Sequence, residues 1–425
     1  MTIAALESLS FGLARTAAAA TAAGHRLYLL TRDRSVYRHE LATLPDGALS
    51  VVDVDTFDEA ATRSALAALP DLAGLINTTD TWSVPAADLA AEFGLPGPDP
   101  ATVRLLRDKS RVRDLLHGQG LSRSGAVRLP PDPEDATAAV LRGTGLPAVL
   151  KDSAGTSSRD VWVVRDKDTL RAALLAAAQQ TLAGELFAEP FLAGPLYSAE
   201  TLSWAGDTRL LGVLSRQTSR EPLVREEAAA FPVAVPHGEL TAIEDWVGRV
   251  LYTAGHHSGF AHVEFILTAE GPELVEINRR IGGALVGEAL CRSLRTNVYE
   301  AMISVALGHR PGLMGGPLGH TGPASGFVLV YAERRGVLAG WRGLDELAGY
   351  PGEVRWYPTK APGDAVQHVD DQRGCTGMVL AEAATAELAL HRALSAAGSV
   401  CPVLATGAAT ADGPVPEGPV ADGEP

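Results

Sequence analysis

The stretch Gly259-Phe-Ala-His262-Val-Glu264-Phe-Ile266, followed by Leu274-Val-Glu276-Ile-Asn278-Arg279-Arg280-Ile-Gly282-Gly283, decides the fold. Its two runs alternate apolar and polar residues and flank Ala269-Glu-Gly-Pro272, the pattern of a β-hairpin. A turn centred on Glu270 pairs Glu264 with Glu276 and His262 with Asn278. Side chains alternate faces along a strand, so all four share one face. Ile266 and Leu274 are expected to make that face partly apolar. Two carboxylates placed opposite each other repel, and something must compensate. A divalent cation would do so: Mg²⁺ prefers hard oxygen ligands, usually one or two carboxylates plus substrate phosphates. An amphipathic hairpin with a wet polar face fits the same alternation. The two arginines and two glycines that follow favour an anion site.

The rest of the chain narrows the classes of function. Its 425 residues suffice for several packed units. With 46% hydrophobic and 20% charged residues it is ordinary globular material. A net charge of −15 repels nucleic acid and anionic membrane surfaces, so neither is an expected partner. Cys291, Cys375 and Cys401 are widely spaced and odd in number, which suits reduced thiols rather than a disulfide framework or zinc cluster. Neither a signal peptide nor a run of about 18 apolar residues is found, so a cytoplasmic protein is expected.

Residues 1–98 alternate strands (Ile3–Leu6, Arg26–Leu30, Val51–Val54, Gly74–Asn77) with helices, the pattern of a parallel α/β unit. The loop Ser8–Gly12 carries one glycine and no dinucleotide fingerprint. Pro96-Gly-Pro98-Asp-Pro100 is a stiff connector. A helix is expected over 102–117, strands at 148–151, 161–164 and 186–191, and a helix over 168–182. Further strands run to Asn278, interrupted by a helix near 240–254, and one helix is expected over 285–307. Residues 321–405 read as a small α+β unit and 406–425 as a disordered tail.

Lys151 ends an apolar strand and opens Asp152-Ser153-Ala-Gly155-Thr156-Ser157-Ser158-Arg159. A loop of small residues can turn backbone N–H groups toward a phosphate, and a lysine adds a point charge. An ordinary hairpin loop fits this stretch equally well. Lys109, taken alone, reads as a solvated helix residue.

In order along the chain, these positions resemble the ATP-grasp carboxylate–amine ligases, and most of all the branch of bacterial L-amino-acid ligases. The resemblance covers roughly residues 95–310, with the hairpin as its strongest part. It implies an N-terminal parallel α/β domain (1–98), an ATP-grasp fold in two parts (99–188 with the phosphate-covering lid, 189–320 catalytic) and a small C-terminal α+β domain (321–405). It implies that Glu264, Glu276 and Asn278 bind two Mg²⁺ ions, with Mn²⁺ an admissible substitute. Lys109 and Lys151 would contact ATP phosphates, and Ser153, Gly155, Thr156, Ser157 and Ser158 would fold over them. Glu189, Phe191 and Leu192 would form the adenine hinge. Arg280 would hold the acyl phosphate or substrate carboxylate, and His262 is a second catalytic candidate. Glu200, Arg216, Glu227, Gly282 and Gly283 are expected from position alone to contact substrate.

Two positions depart from the family. Leu196 stands where a ribose-binding glutamate is common, which leaves Glu200 or another group for that task. His262 stands where some relatives carry arginine, and a structural histidine fits that position as well as a functional one. The implied reaction forms an amide through an acyl phosphate, with small-molecule carboxylate and amine substrates and a homodimer as the family's expectation. A specialised-metabolite carboxylate is an alternative substrate. A non-catalytic ATP-binding regulator is an alternative of another class, and a carboxylase ranks below both because no biotin-carrier segment occurs.

Overall fold

The computed structural model describes residues 1–405; the expected tail, 406–425, lies outside the described residues. Among the described residues no helix is long and apolar enough to cross a membrane. The N-terminal strands Thr2–Leu6, Arg26–Thr31, Ser50–Asp53 and Leu72–Ile76 form a four-stranded parallel sheet, with the first strand between the second and fourth. Helix Leu13–Ala22 links the first two strands, and Gly24, in the left-handed region at φ 75°, turns the chain out of it.

The connector leads into two helices where the sequence suggested one. Asp99 caps Pro100–Leu106, and Asp108 caps Lys109–Gly118 by accepting from the N–H groups of Ser110 and Arg111. The second cap places Lys109 in a helical first turn that is held against the Ser153 carbonyl at 2.9 Å. A four-stranded antiparallel sheet follows, ordered Val127–Arg128, Leu186–Pro190, Ala148–Asp152, Val161–Val164. Helices Pro133–Gly143 and Lys167–Ala177 bury its apolar face around Val140, Leu150 and Leu170.

The largest element is an eight-stranded antiparallel sheet. Its order is Gly271–Asn278, Gly259–Thr268, Leu196–Trp204, Asp207–Thr218, Glu226–Phe231, Ala324–Tyr331, Cys375–Ala383, Arg355–Pro358. Three C-terminal strands, Ala324–Tyr331, Cys375–Ala383 and Arg355–Pro358, therefore continue the central sheet, while Gly336–Arg342, Ala365–Val366 and Cys401–Leu404 form a three-stranded sheet of their own. The join runs through Phe231 paired with Ser325 and Ala228 with Val328. Helix His237–Thr253 covers one face, packing Trp246, Val247 and Val250 on Val263, Phe265 and Ile277. The expected helix over 285–307 is two, Val286–Leu294 and Tyr299–Ala306, broken where Arg295 turns to φ 51°. Both join a single core with the N-terminal unit, in which Leu13, Ala17 and Leu29 share buried surface with Leu290, Tyr299 and Ile303. The N-terminal unit is thereby fixed against the central sheet, which matters for the site.

Candidate active site

The hairpin pairs as its sequence suggests: His262 faces Asn278 and Glu264 faces Glu276. The turn differs. It is a two-residue loop, with Thr268 paired to Gly271, and a bulge at Val275 restores the register between Glu264 and Phe265. That extra residue reverses the parity of everything nearer the turn. Leu274, expected on the polar face, instead pairs with Phe265 and enters the core, while Val275 lines the site.

The polar face forms one wall of a cavity of about 730 Å³ between the central sheet and the smaller antiparallel sheet. Lining it are Lys109, Lys151, Gly155, Thr156, Ser157, Ser158, Glu189, Phe191, Leu192, Leu196, Arg216, His262, Glu264, Glu276, Asn278, Arg280 and Gly283. Most of the sequence positions singled out one by one are thus gathered around a single space.

Cations meet the carboxylate repulsion. Lys109 Nζ lies 3.0 Å from Glu276 and also donates to the Gly155 carbonyl. Arg216 donates to Glu264 through one N–H and to Glu226 through Nη2 at 2.9 Å. Burial alone would raise the Glu264 pKa, but Arg216 and then His262 outweigh it and hold the carboxylate well below its usual range. Asn278 Nδ2 donates to Glu276 at 2.6 Å. Burial would lower the His262 pKa, yet Glu200, accepting from Nδ1 at 2.6 Å, lifts it to about 9.

Lys151 and Glu189 form an ion pair inside the cavity wall, and Arg113 Nε approaches the same carboxylate at 2.7 Å. All three side chains are buried. In the loop that follows Lys151, Ser157 and Ser158 adopt φ 57° and 59°, a left-handed conformation that such residues hold only under constraint. Thr156 Oγ1 and Ser157 Oγ are buried with no hydrogen-bond partner among the described residues. An orphaned buried hydroxyl is costly unless a ligand satisfies it. Arg280 is held by Asp80 of the N-terminal unit, at 2.6 Å from Nη2 and 3.0 Å from Nε.

Four expected contacts fall outside the cavity. Ser153 is buried behind the loop, its hydroxyl accepting from the Glu185 N–H at 3.0 Å. Glu200 sits behind His262, bonded to it and to Ser198, and cannot stand in for the ribose-binding glutamate. Glu227 points away because a bulge pairs Thr218 with Glu226, so Glu226 lines the site while Glu227 pairs with Arg225. Gly282 is a spacer: a Cβ there would stand 2.7 Å from His262 Nδ1.

The sequence pattern alone did not single out Asp80, Arg113 or Gln372, and it reached Glu226 only as part of the segment 225–227. Gln372 enters the cavity from the C-terminal segment and donates to Glu226 at 3.2 Å. Asp80 follows the last strand of a parallel sheet, the end where such sheets hold ligands, and that position was a usable signal.

The donor set suits Mg²⁺ bound together with phosphates. Two carboxylates and an amide on adjacent strands offer only hard oxygens and leave room for phosphate oxygens. Among the described residues no group of three or more His, Cys, Asp or Glu is placed to hold a metal by itself.

Comparison with known proteins agrees with this architecture. An ATP-grasp domain is matched over residues 144–288 and an L-amino acid ligase C-terminal domain 2 over residues 328–405. An uncharacterized protein, y4rH, of Sinorhizobium fredii is 28% identical over 342 residues, which span 76% of this chain and 67% of that protein. Human carnosine synthase 1 is 26% identical over 261 residues, and the match spans 57% of this chain but only 31% of that enzyme. The L-amino acid ligase of Bacillus licheniformis superposes with a TM-score of 0.80 at 21% identity, covering 95% of this chain and 99% of that one. A 2-oxoglutarate carboxylase biotin carboxylase domain of Hydrogenobacter thermophilus, solved with MgADP, superposes at 0.73 and 16% identity over 95% and 90% of the two chains. The chain thus combines an N-terminal parallel α/β unit with an ATP-grasp domain and the C-terminal domain 2 of L-amino acid ligases.

Proposed function

We propose that the chain is an ATP-dependent carboxylate–amine ligase that forms a peptide-type amide bond with at least one amino-acid substrate. The observation that carries this reading is convergence. Lys109, Lys151, two unpartnered hydroxyls, the Glu264/Glu276/Asn278 set and Arg280 meet in one cavity. That is equipment for phosphoryl transfer, which needs positioning and charge neutralisation more than covalent catalysis.

In the proposed reaction a substrate carboxylate oxygen attacks the γ-phosphorus of ATP, the bond to the β-phosphate oxygen breaks, and ADP leaves. A neutral amine then attacks the acyl carbon, phosphate leaves, and the amine's proton is lost to solvent. Lys109 and Lys151 neutralise phosphate oxygens. Thr156 and Ser157 donate hydroxyls as their loop covers the phosphates and excludes water. Arg280, its fork fixed by Asp80, holds the acyl phosphate or substrate carboxylate. Glu189, Phe191 and Leu192 line the end of the cavity suited to adenine. Glu264, Glu276 and Asn278 would hold two Mg²⁺ ions, or Mn²⁺ in their place, which supply charge neutralisation to the phosphates when bound. Lys109 and Arg216, which now satisfy those carboxylates, are free to turn to phosphate. Glu200 is a positioning residue for His262, and Arg216 links Glu264 to Glu226.

The test is phosphate release across a matrix of amino-acid pairs with Mg-ATP, with products weighed by mass spectrometry. ADP, phosphate and a condensed product in equal amounts are expected. Turnover only with an added non-amino-acid carboxylate would move the substrate class to a specialised metabolite. ATP binding with no turnover under any pairing would overturn the ligase in favour of a regulator.

A further inference from the structure

Behind the hairpin lies a second cavity, of about 570 Å³, that the proposed reaction does not use. It is bounded by the last strand of the N-terminal sheet, helix Ser83–Glu92, the Pro96–Thr102 connector and the start of the strand Gly259–Thr268. Its size is that of a small-molecule site. Its walls are mainly apolar, with Ile76, Ala86, Ala90, Phe260, Met302 and Val305 among them.

Two arginines line it. Arg280 forms the partition between the two cavities, and its charge is met by Asp80. Arg279 is different. No carboxylate among the described residues lies within salt-bridge distance of it, and its one hydrogen bond is to the Ser258 carbonyl at 3.3 Å. Four of its five N–H donors are therefore left for something else. Burial without an acid nearby pushes its pKa down to about 10, so it remains a cation at neutral pH. Arg279 is half-buried and lines the cavity, so a charge held among largely apolar walls there is best met by an anionic ligand. Space is open beside it: even a Cβ on Gly259 would stand at ordinary contact distance, 3.6 Å from Arg279 Nη2 and 3.9 Å from the His256 ring.

We infer that this second cavity binds a small carboxylate-bearing molecule with an apolar body, and that Arg279 is its anion anchor. A guanidinium suits a carboxylate because its fork can donate two parallel hydrogen bonds. Asp99 on the rim and the apolar walls disfavour a polyphosphate. The ligand is either the second ligation substrate, a use that rests on the ligase reading, or an effector that reports carboxylate supply to the neighbouring site. The binding site itself stands without that reading.

The experiment is calorimetric titration of the full chain, without ATP, with three probes of one shape. These are L-leucine, 4-methylvalerate, which keeps the carboxylate and lacks the amine, and L-leucinamide, which lacks the carboxylate. Leucine and 4-methylvalerate should bind, with leucinamide weaker by about tenfold or more. Arg279→Gln should lose both carboxylates by a similar factor and Arg279→Lys should retain part, while thermal unfolding shows both variants folded. If Arg279→Gln then raises the KM of one ligation substrate alone, the cavity serves that substrate. If both KM values are unchanged, it serves an effector. Leucinamide binding as tightly as leucine, unchanged binding in Arg279→Gln, or no binding to the unaltered chain at millimolar probe would each overturn the inference.

Discussion

Replacing Glu189 by glutamine removes the one negative charge from a buried cluster of three. Lys151 has no other carboxylate within ion-pair distance among the described residues, whereas Arg113 keeps Glu273 at 4.0 Å and the Leu274 carbonyl. Breaking a buried pair by removing one partner costs about 3–5 kcal/mol, because a charge is left uncompensated. Only Lys151 is left so, which places the expected loss at the lower end, about 3 kcal/mol. Burial would raise the Glu189 pKa, but Arg113 and Lys151 together hold it below the usual carboxylate value. A depressed carboxylate contributes stability above its unfolded pKa, and that contribution is lost as pH falls through the folded one. The gap between the two proteins should therefore be full at neutral pH and close in acid. Urea unfolding followed by tryptophan fluorescence across that range measures it. A gap under about 1 kcal/mol, the level of an exposed ion pair, would refute the buried-cluster argument. So would a gap that does not change with pH. ATP affinity should fall with stability, since Lys151 loses the contact that aims it.

Three further outcomes follow from the same geometry. Glu276→Gln should abolish turnover while the chain stays folded; near-normal ADP release would sink the metal assignment. Arg280→Ala should lose product while keeping ATP binding, and Asp80→Asn should weaken product formation in the same direction; an unchanged yield in Arg280→Ala would refute its role. For Glu200→Gln the readout is pH-dependent stability. His262, raised to about 9, contributes about 3 kcal/mol that is full below its unfolded pKa near 6.5 and is lost as pH rises through about 9. The variant should lack that loss, and a stability profile unchanged from the parent between about pH 6 and about pH 10 would contradict it.

Much of the site was legible because its chemistry lies on local patterns. The pairing of Glu264 with Glu276 needs only strand alternation and a turn, and Lys151 announces itself at a strand end. What could not be read falls under two physical causes. A bulge changes parity without leaving a mark in the alternation, which is how Val275 replaced Leu274 and Glu226 replaced Glu227. Long-range ion pairs depend on how units pack. Asp80 meets Arg280 across 200 positions of chain, and Arg113 reaches the strand residue Glu189 from the helix Lys109–Gly118. The same packing explains the C-terminal segment, which looks like a separate unit in sequence yet hydrogen-bonds three of its strands into the central sheet. Gln372 arrives in the cavity by that route. Lys109 showed the reverse: an ordinary helix residue by pattern, it is placed in the site by the Asp108 cap.

The most direct test of the proposed ligation follows the carboxylate oxygen. With the substrate pair identified, the acid is supplied with both carboxylate oxygens as ¹⁸O and the released phosphate is analysed by mass spectrometry. Attack of the carboxylate on ATP, followed by amine attack on the acyl carbon, leaves one labelled oxygen in each phosphate. Unlabelled phosphate alongside amide product would contradict an acyl-phosphate route, and with it the roles proposed for Arg280 and the phosphate-covering loop.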